Sequence, residues 1–108
     1  MEKSDSILQL QKSVELFTEQ RNWQTAHNPK NLSMSIAIEA AELMEIFQWI
    51  SIDESKNISD PDVIVNVADE LADVLIYCFS FANQFEFDVA DIVREKMRKN
   101  NFKYPAKK

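Results

Sequence analysis

The sequence predicts an all-α domain, a four-helix bundle, on three observations. Its 108 residues include no Gly and only three Pro, so the residues that make hairpin turns and phosphate-cradling loops are missing. Apolar residues recur at spacings of three and four along most of the chain, which lines up helical faces. Helix-start signals such as Asp60-Pro61 stand where such runs begin. At this length, residues 1–108 are expected to form one domain that buries about 65% of its unfolded surface around a single core.

The first predicted helix covers residues 5–22, where Ile7, Leu10, Val14 and Phe17 form the stripe by which it packs. Trp23 to Asn31 breaks the period, contains His27 and Pro29, and reads as a connecting loop. A second helix follows over 32–50. On a helical wheel, Leu32, Ile36, Leu43, Ile46, Phe47 and Ile50 share one apolar face, with Glu39 in its middle and Glu42 on its edge. Asp60 as a cap and Pro61 at the first helical position start a third helix, which runs to residue 86. Val63, Val67, Leu71, Val74, Leu75, Ile76, Phe79 and Phe81 cover most of its circumference. Asn66, Glu70, Asp73, Tyr77, Ser80 and Gln84 fill the narrow polar strip that is left. A helix apolar nearly all round is normally buried, so this strip is expected to face an internal or interfacial cavity as well as solvent. Asp88 with Asp91 suits the start of a fourth helix over 88–102, closed by Pro105. Val89, Ile92, Val93 and Met97 give its inner face, which Lys96 and Asn100 share. Either something anionic waits inside for Lys96, or its side chain snorkels past the core edge.

A net charge of −6 argues against a nucleic-acid polymer as partner, because neutralising a phosphate backbone needs a basic face. An anionic small-molecule substrate would need a metal ion as intermediary. Cys78 is the single cysteine, so neither an intrachain disulfide nor a thiolate zinc cage can form, which fits a reducing cytoplasm. The opening residues Met1 to Ser6 carry no apolar signal core, and no segment reaches the about 20 apolar residues of a membrane span. A cytoplasmic protein without a membrane partner is expected, with Lys107 and Lys108 as a frayed tail.

Glu39 and Glu42 lie three apart on one predicted helix and Glu70 and Asp73 three apart on another, so each pair projects to one side. Antiparallel packing of the two helices would bring the pairs together. Carboxylates crowded in a poorly solvated site repel one another, and protonation or bound cations relieve the repulsion. All-oxygen ligation favours hard ions, Mg²⁺ above all and Mn²⁺ as the alternative, and leaves positions open for phosphates and water. Any one such pair taken alone is equally well a solvated surface. Position argues otherwise here, since Glu39 stands where an apolar residue is expected and Glu70 sits in an almost wholly apolar helix. Glu45 faces away from the Leu43 stripe and reads as a surface charge or a group that supports the ligands.

Five stretches together carry a resemblance. They are Arg21-Asn-Trp23; His27-x-Pro-Lys-Asn31-Leu32; Glu39-x-x-Glu42-Leu-x-Glu45-x-Phe47-Gln-Trp49; Glu70-Leu-x-Asp73-Val-Leu-Ile-Tyr77; and Lys96-Met-x-x-Asn100-x-x-x-Tyr104-Pro105. Over residues 15–105 they resemble the MazG-like all-α nucleoside triphosphate pyrophosphohydrolases of the dCTP pyrophosphatase type. The resemblance implies that Glu39, Glu42, Glu70 and Asp73 are the Mg²⁺ ligands and catalytic residues. It implies water attack on the α-phosphate of a normal or modified deoxynucleoside triphosphate such as dCTP, giving a monophosphate and pyrophosphate, in a role of nucleotide-pool cleansing. Trp23, Trp49 and Tyr77 resemble the residues that enclose the base, and Lys96, Asn100 and Tyr104 the phosphate-contacting end. His27 is a further substrate-binding candidate, with a plain exposed loop histidine as the alternative. The family assembles as homodimers or homotetramers with pockets near subunit interfaces, and the same is expected here. The chain departs from many relatives in having Ile38 before Glu39, as the dCTP pyrophosphatase type does. Val14 stands where vertebrate-type dCTP enzymes have a base-contacting His, which leaves the base preference open.

Two rivals remain in view. A di-iron carboxylate bundle needs Glu-x-x-His on two helices, and His27, the one histidine, has no glutamate three residues before it. A non-enzymatic helical module that senses nucleotide or binds a partner would keep the pocket without turnover, although retention of all four acidic residues weighs against it.

Overall fold

Ser6 opens the first helix: its hydroxyl accepts from the Gln9 N–H and the Gln9 side chain accepts from the Ser6 N–H, each at 3.0 Å. This reciprocal cap replaces bonds that the first turn cannot make internally. The computed structural model describes residues 6–107. Within them lie α1 (Ile7–Gln20), α2 (Pro29–Phe47), α3 (Ile52–Lys56), α4 (Pro61–Gln84) and α5 (Val89–Lys103), with no strand. The residues before Ser6 and the terminal Lys108 fall outside the described part.

The architecture is all-α as expected, but the expected four helices are five. The four long ones are present, and α3 is an extra single turn capped by Ser51 and Glu54 in the same reciprocal way as α1. The start of α2 also needs correction. It lies at Pro29 rather than residue 32, because Asn28 accepts from the Asn31 N–H at 2.9 Å and Pro29 occupies the first helical position. There the absent proline N–H costs nothing. Helix α4 begins at Pro61 behind its Asp60 cap and ends at Gln84, two residues short of the expected limit.

Helices α2 and α4 form the central antiparallel pair, α1 lies against α4, and α5 lies against α1. The apolar stripe of α1 faces α4 but is covered only in part: Val14 is half-buried and Ile7, Leu10 and Phe17 stay exposed, while Gln11 and Thr18 are buried. Gln11 is buried because its polar atoms are satisfied. Its side-chain amide donates to the Phe87 carbonyl at 2.8 Å and to Asn83 Oδ1 at 3.2 Å, and its Oε1 accepts from the Val89 N–H at 2.9 Å. Asn83 returns a bond to the Gln11 carbonyl at 3.0 Å. One buried amide therefore ties α1 to the end of α4 and the start of α5. The corner between those two helices needs Glu86 in the left-handed region, at φ 57°, where the chain has no glycine to offer.

Among the described residues the buried apolar side chains are Leu32, Phe79 and Ala82. The inner faces expected for α4 and α5 are covered only in part within one chain: on α4 Phe79 is buried and Val63, Val67, Val74 and Phe81 are half-buried, whereas Leu71, Leu75 and Ile76 are exposed. Ile64, Val65, Leu71 and Leu75 on α4, Ile92, Val93 and Met97 on α5, and Met34, Ile38 and Met44 on α2 all remain exposed. The accessible surface is 8709 Å², against about 6,200 Å² for a compact monomer of this mass. The radius of gyration is 16.8 Å, against about 13 Å for a compact domain of this length. No helix among the described residues is long and apolar enough to cross a membrane.

Candidate functional site

The α2/α4 pair places its acidic residues as the helical spacing requires. One carboxylate oxygen each from Glu39 on α2 and from Glu70 and Asp73 on α4 lie within 4.8 Å of one another. Glu39 and Glu70 are half-buried and Asp73 is exposed. Glu42, one turn along from Glu39, is exposed and acts electrostatically on both Glu39 and Glu70. Burial, then Glu42 and Asp73, push the Glu39 carboxyl above the ordinary glutamate value. Burial, then the charges of Glu42, Asp73 and Glu39 and a side-chain hydrogen bond with Glu42, do the same to Glu70. Its Oε1 is enclosed and has no hydrogen-bond partner. The crowding of this sheltered acceptor with three further carboxylates is relieved by protonation or by a bound cation, and an all-oxygen donor set would fit a hard divalent ion.

Beside the carboxylates runs a ladder of rings. Phe17 and Trp23 meet edge-on at 5.5 Å between centroids, Trp23 and His27 stand 6.2 Å apart, and His27 and Tyr77 6.4 Å apart. Tyr77 lies one turn beyond Asp73 on α4, so the ladder leads directly to the acidic cluster. His27 is half-buried within it rather than a plain exposed loop residue. The Asn31 amide donates to the Ala26 carbonyl at 3.1 Å and holds the turn that carries these rings. An apolar cavity of about 320 Å³ between α1 and α4, lined by Leu10, Ser13, Val14, Phe17, Ile76 and Phe79, adjoins the Phe17 side of the ladder.

The remaining candidates lie elsewhere in the single chain. Trp49 follows α2 and is 86% exposed. Lys96, Asn100 and Tyr104 belong to α5 and its end, which pack toward α1. None of their charges figures among those acting on Glu39 or Glu70.

Two residues outside the expected set join the site. Glu45 and Asn66, with Glu42, Ile46 and Glu70, line an open cavity of about 440 Å³ at the far side of the carboxylates from Tyr77. Glu45 thus faces the groove rather than away from it. The signal was in the spacing, since Glu45 is one turn beyond Glu42 and Asn66 one turn before Glu70.

Known proteins resemble the chain in sequence and in fold. The profile of the MazG-like family matches residues 34–108. The chain is 36% identical over 90 residues to dCTP pyrophosphatase 1 of Mus musculus, covering 82% of this chain and 53% of that protein. It is 35% identical over 91 residues to dCTP pyrophosphatase 1 of Homo sapiens, covering 83% of this chain and 54% of that one. The chain thus spans about half the length of these curated relatives. Among solved structures, a pyrophosphatase from Archaeoglobus fulgidus DSM 4304 superposes with a TM-score of 0.80 at 38% identity, over 98% of each chain.

Proposed function

The chain belongs to the MazG-like family, and from that premise we propose that it is a Mg²⁺-dependent nucleoside triphosphate pyrophosphohydrolase. Its reaction converts a deoxynucleoside triphosphate such as dCTP, or a modified relative, to the monophosphate and pyrophosphate. The observation that carries the proposal is the enclosed, unpartnered Glu70 Oε1 within a cluster that two antiparallel helices supply.

Glu39, Glu42, Glu70 and Asp73 would hold the cation, with Mn²⁺ as a substitute. When bound, it neutralises the triphosphate and lowers the pKa of a coordinated water. The chain's own part is to shape the reaction around that charge. Glu39 and Glu70 are half-buried, and electrostatic contacts strengthen as water is displaced from around them. One carboxylate of the set takes a proton from the attacking water as its oxygen bonds to the α-phosphorus. The bond to the bridging oxygen then breaks and the pyrophosphate carries off the electron pair. Trp23, His27 and Tyr77 offer ring faces beside the cluster for the base.

We also propose a homodimer or homotetramer, in a cytoplasmic setting, in which a second copy completes the site. Residues 89–108 hold seven Lys and Arg against two Asp and Glu, which leaves the first 88 residues at −11 within the total of −6. A basic α5 carrying Lys96 and Asn100, with Tyr104 at its end, is complementary to an acidic groove in which no cationic side chain among the described residues acts on Glu39 or Glu70.

The test is incubation with Mg²⁺ and a panel of normal and modified deoxynucleoside triphosphates, with products resolved. Monophosphate and pyrophosphate are expected; orthophosphate with nucleoside diphosphate would overturn the α-phosphorus assignment.

A further inference from the structure

The groove between α2 and α4 has a direction. At one end Tyr77, one turn past Asp73, meets His27 ahead of α2. At the other, one turn past Glu42 and one turn before Glu70, Glu45 and Asn66 open onto the cavity of about 440 Å³. The carboxylate cluster lies between, and the cavity shares Glu42 and Glu70 with it. Of the cavity's five lining side chains, three are carboxylates and Ile46 is apolar, so Asn66 supplies the side-chain N–H donors among them. Asparagine is a poor residue for a helix interior, yet Asn66 stands in the second turn of α4, exposed to this cavity.

We infer that this cavity receives the β- and γ-phosphates and releases them as pyrophosphate, with Asn66 Nδ2 donating a hydrogen bond to a non-bridging oxygen of that end. The inference rests on the activity proposed above and assigns its orientation. With the base against the His27–Tyr77 rings and the α-phosphorus over the carboxylates, the rest of the triphosphate points along the groove toward Asn66. Water oxygen bonds to the α-phosphorus, the bond to the bridging oxygen breaks, and the leaving pyrophosphate moves away from the nucleoside into the open cavity. Carboxylate walls hold that product only with a counter-cation. Asn66 is the neutral contact that fixes its position without adding charge.

The experiment is calorimetric titration of the intact chain and of Asn66→Ala, in saturating Mg²⁺, with inorganic pyrophosphate and separately with dCMP. Exposed Asn66 packs against nothing that alanine would leave empty, and alanine favours the helix, so the variant is expected to fold. Asn66→Ala is expected to weaken pyrophosphate binding about tenfold, equivalent to about 1.4 kcal/mol, and to leave dCMP affinity within twofold. Unchanged pyrophosphate affinity overturns the inference, as does pyrophosphate that fails to bind the unaltered chain. Weakened dCMP binding also overturns it, because the nucleoside would then lie at the Asn66 and Trp49 end. Turnover of the unaltered chain, followed in parallel, separates the two levels. Absence of pyrophosphate release removes the activity itself, whereas release with unaffected Asn66→Ala binding removes only the orientation.

Discussion

Glu70 brings together an apolar helix, an enclosed oxygen and three neighbouring negative charges. Glu70→Gln keeps the shape but removes the charge a cation needs, and should lower kcat at least a hundredfold while circular dichroism keeps its helical content. Retained Mg²⁺ affinity in that variant would return Glu70 to a structural role. The pH response follows from the same crowding. In the metal-free protein Glu39 and Glu70 titrate above the ordinary 4.5, so they bind protons more tightly folded than unfolded. Their contribution to stability is full below 4.5 and is lost as pH rises through the raised values. Mg²⁺ should therefore raise Tm strongly near neutrality and little near pH 4.5, where protons compete for the same oxygens. Equal Mg²⁺ shifts in calorimetry at both pH values would place the ion elsewhere. Gln11 makes a third case: Gln11→Leu leaves the Phe87 carbonyl and Val89 N–H without their partner. Urea unfolding should show a loss of about 2–3 kcal/mol. At this scale Glu39 was legible because a carboxylate interrupted an apolar face. Gln11 was not, because nothing in a period of three and four marks a polar residue as the one that turns inward.

Helix ends were readable where a capping side chain and Pro adjoin. Asp60-Pro61 gave the start of α4 to the residue. Asn28-Pro29 carries the same chemistry, but Trp23 and His27 just before it broke the apolar period and drew the whole stretch into a loop. Helix α3 escaped because five residues are too few to show a period, even though Ser51 and Glu54 carry its cap. At the other extreme of stability lies α5, which packs against α1 and buries no residue fully. In the separated chain, below the concentration at which copies associate, amide hydrogen exchange should find α5 opening at a lower free energy than α2 and α4, with faster exchange over most of its length. Protection of α5 equal to that of α4 would mean that something other than α1 holds it down.

Across the whole molecule, periodicity identified which residues are apolar on each helix but not what covers them. Leu71 and Leu75 were expected inside because a helix apolar nearly all round is normally buried, yet in the single chain both are exposed. A sequence marks a face for burial without saying whether its own chain or another supplies the cover. On the assembly proposed above, light scattering should return a mass of at least twice 12.6 kDa. Leu71→Glu with Leu75→Glu should reduce it toward the single-chain value. A monodisperse single chain for the unaltered protein would rule the assembly out. On that assembly the exposed apolar residues of α2 and α4, such as Met34, Ile38, Leu71 and Leu75, would make dilution act as a denaturant. Each tenfold fall in protein concentration favours the separated chains by about 1.4 kcal/mol per mole of dimer, so thermal midpoints recorded at nanomolar and millimolar protein would describe different ensembles.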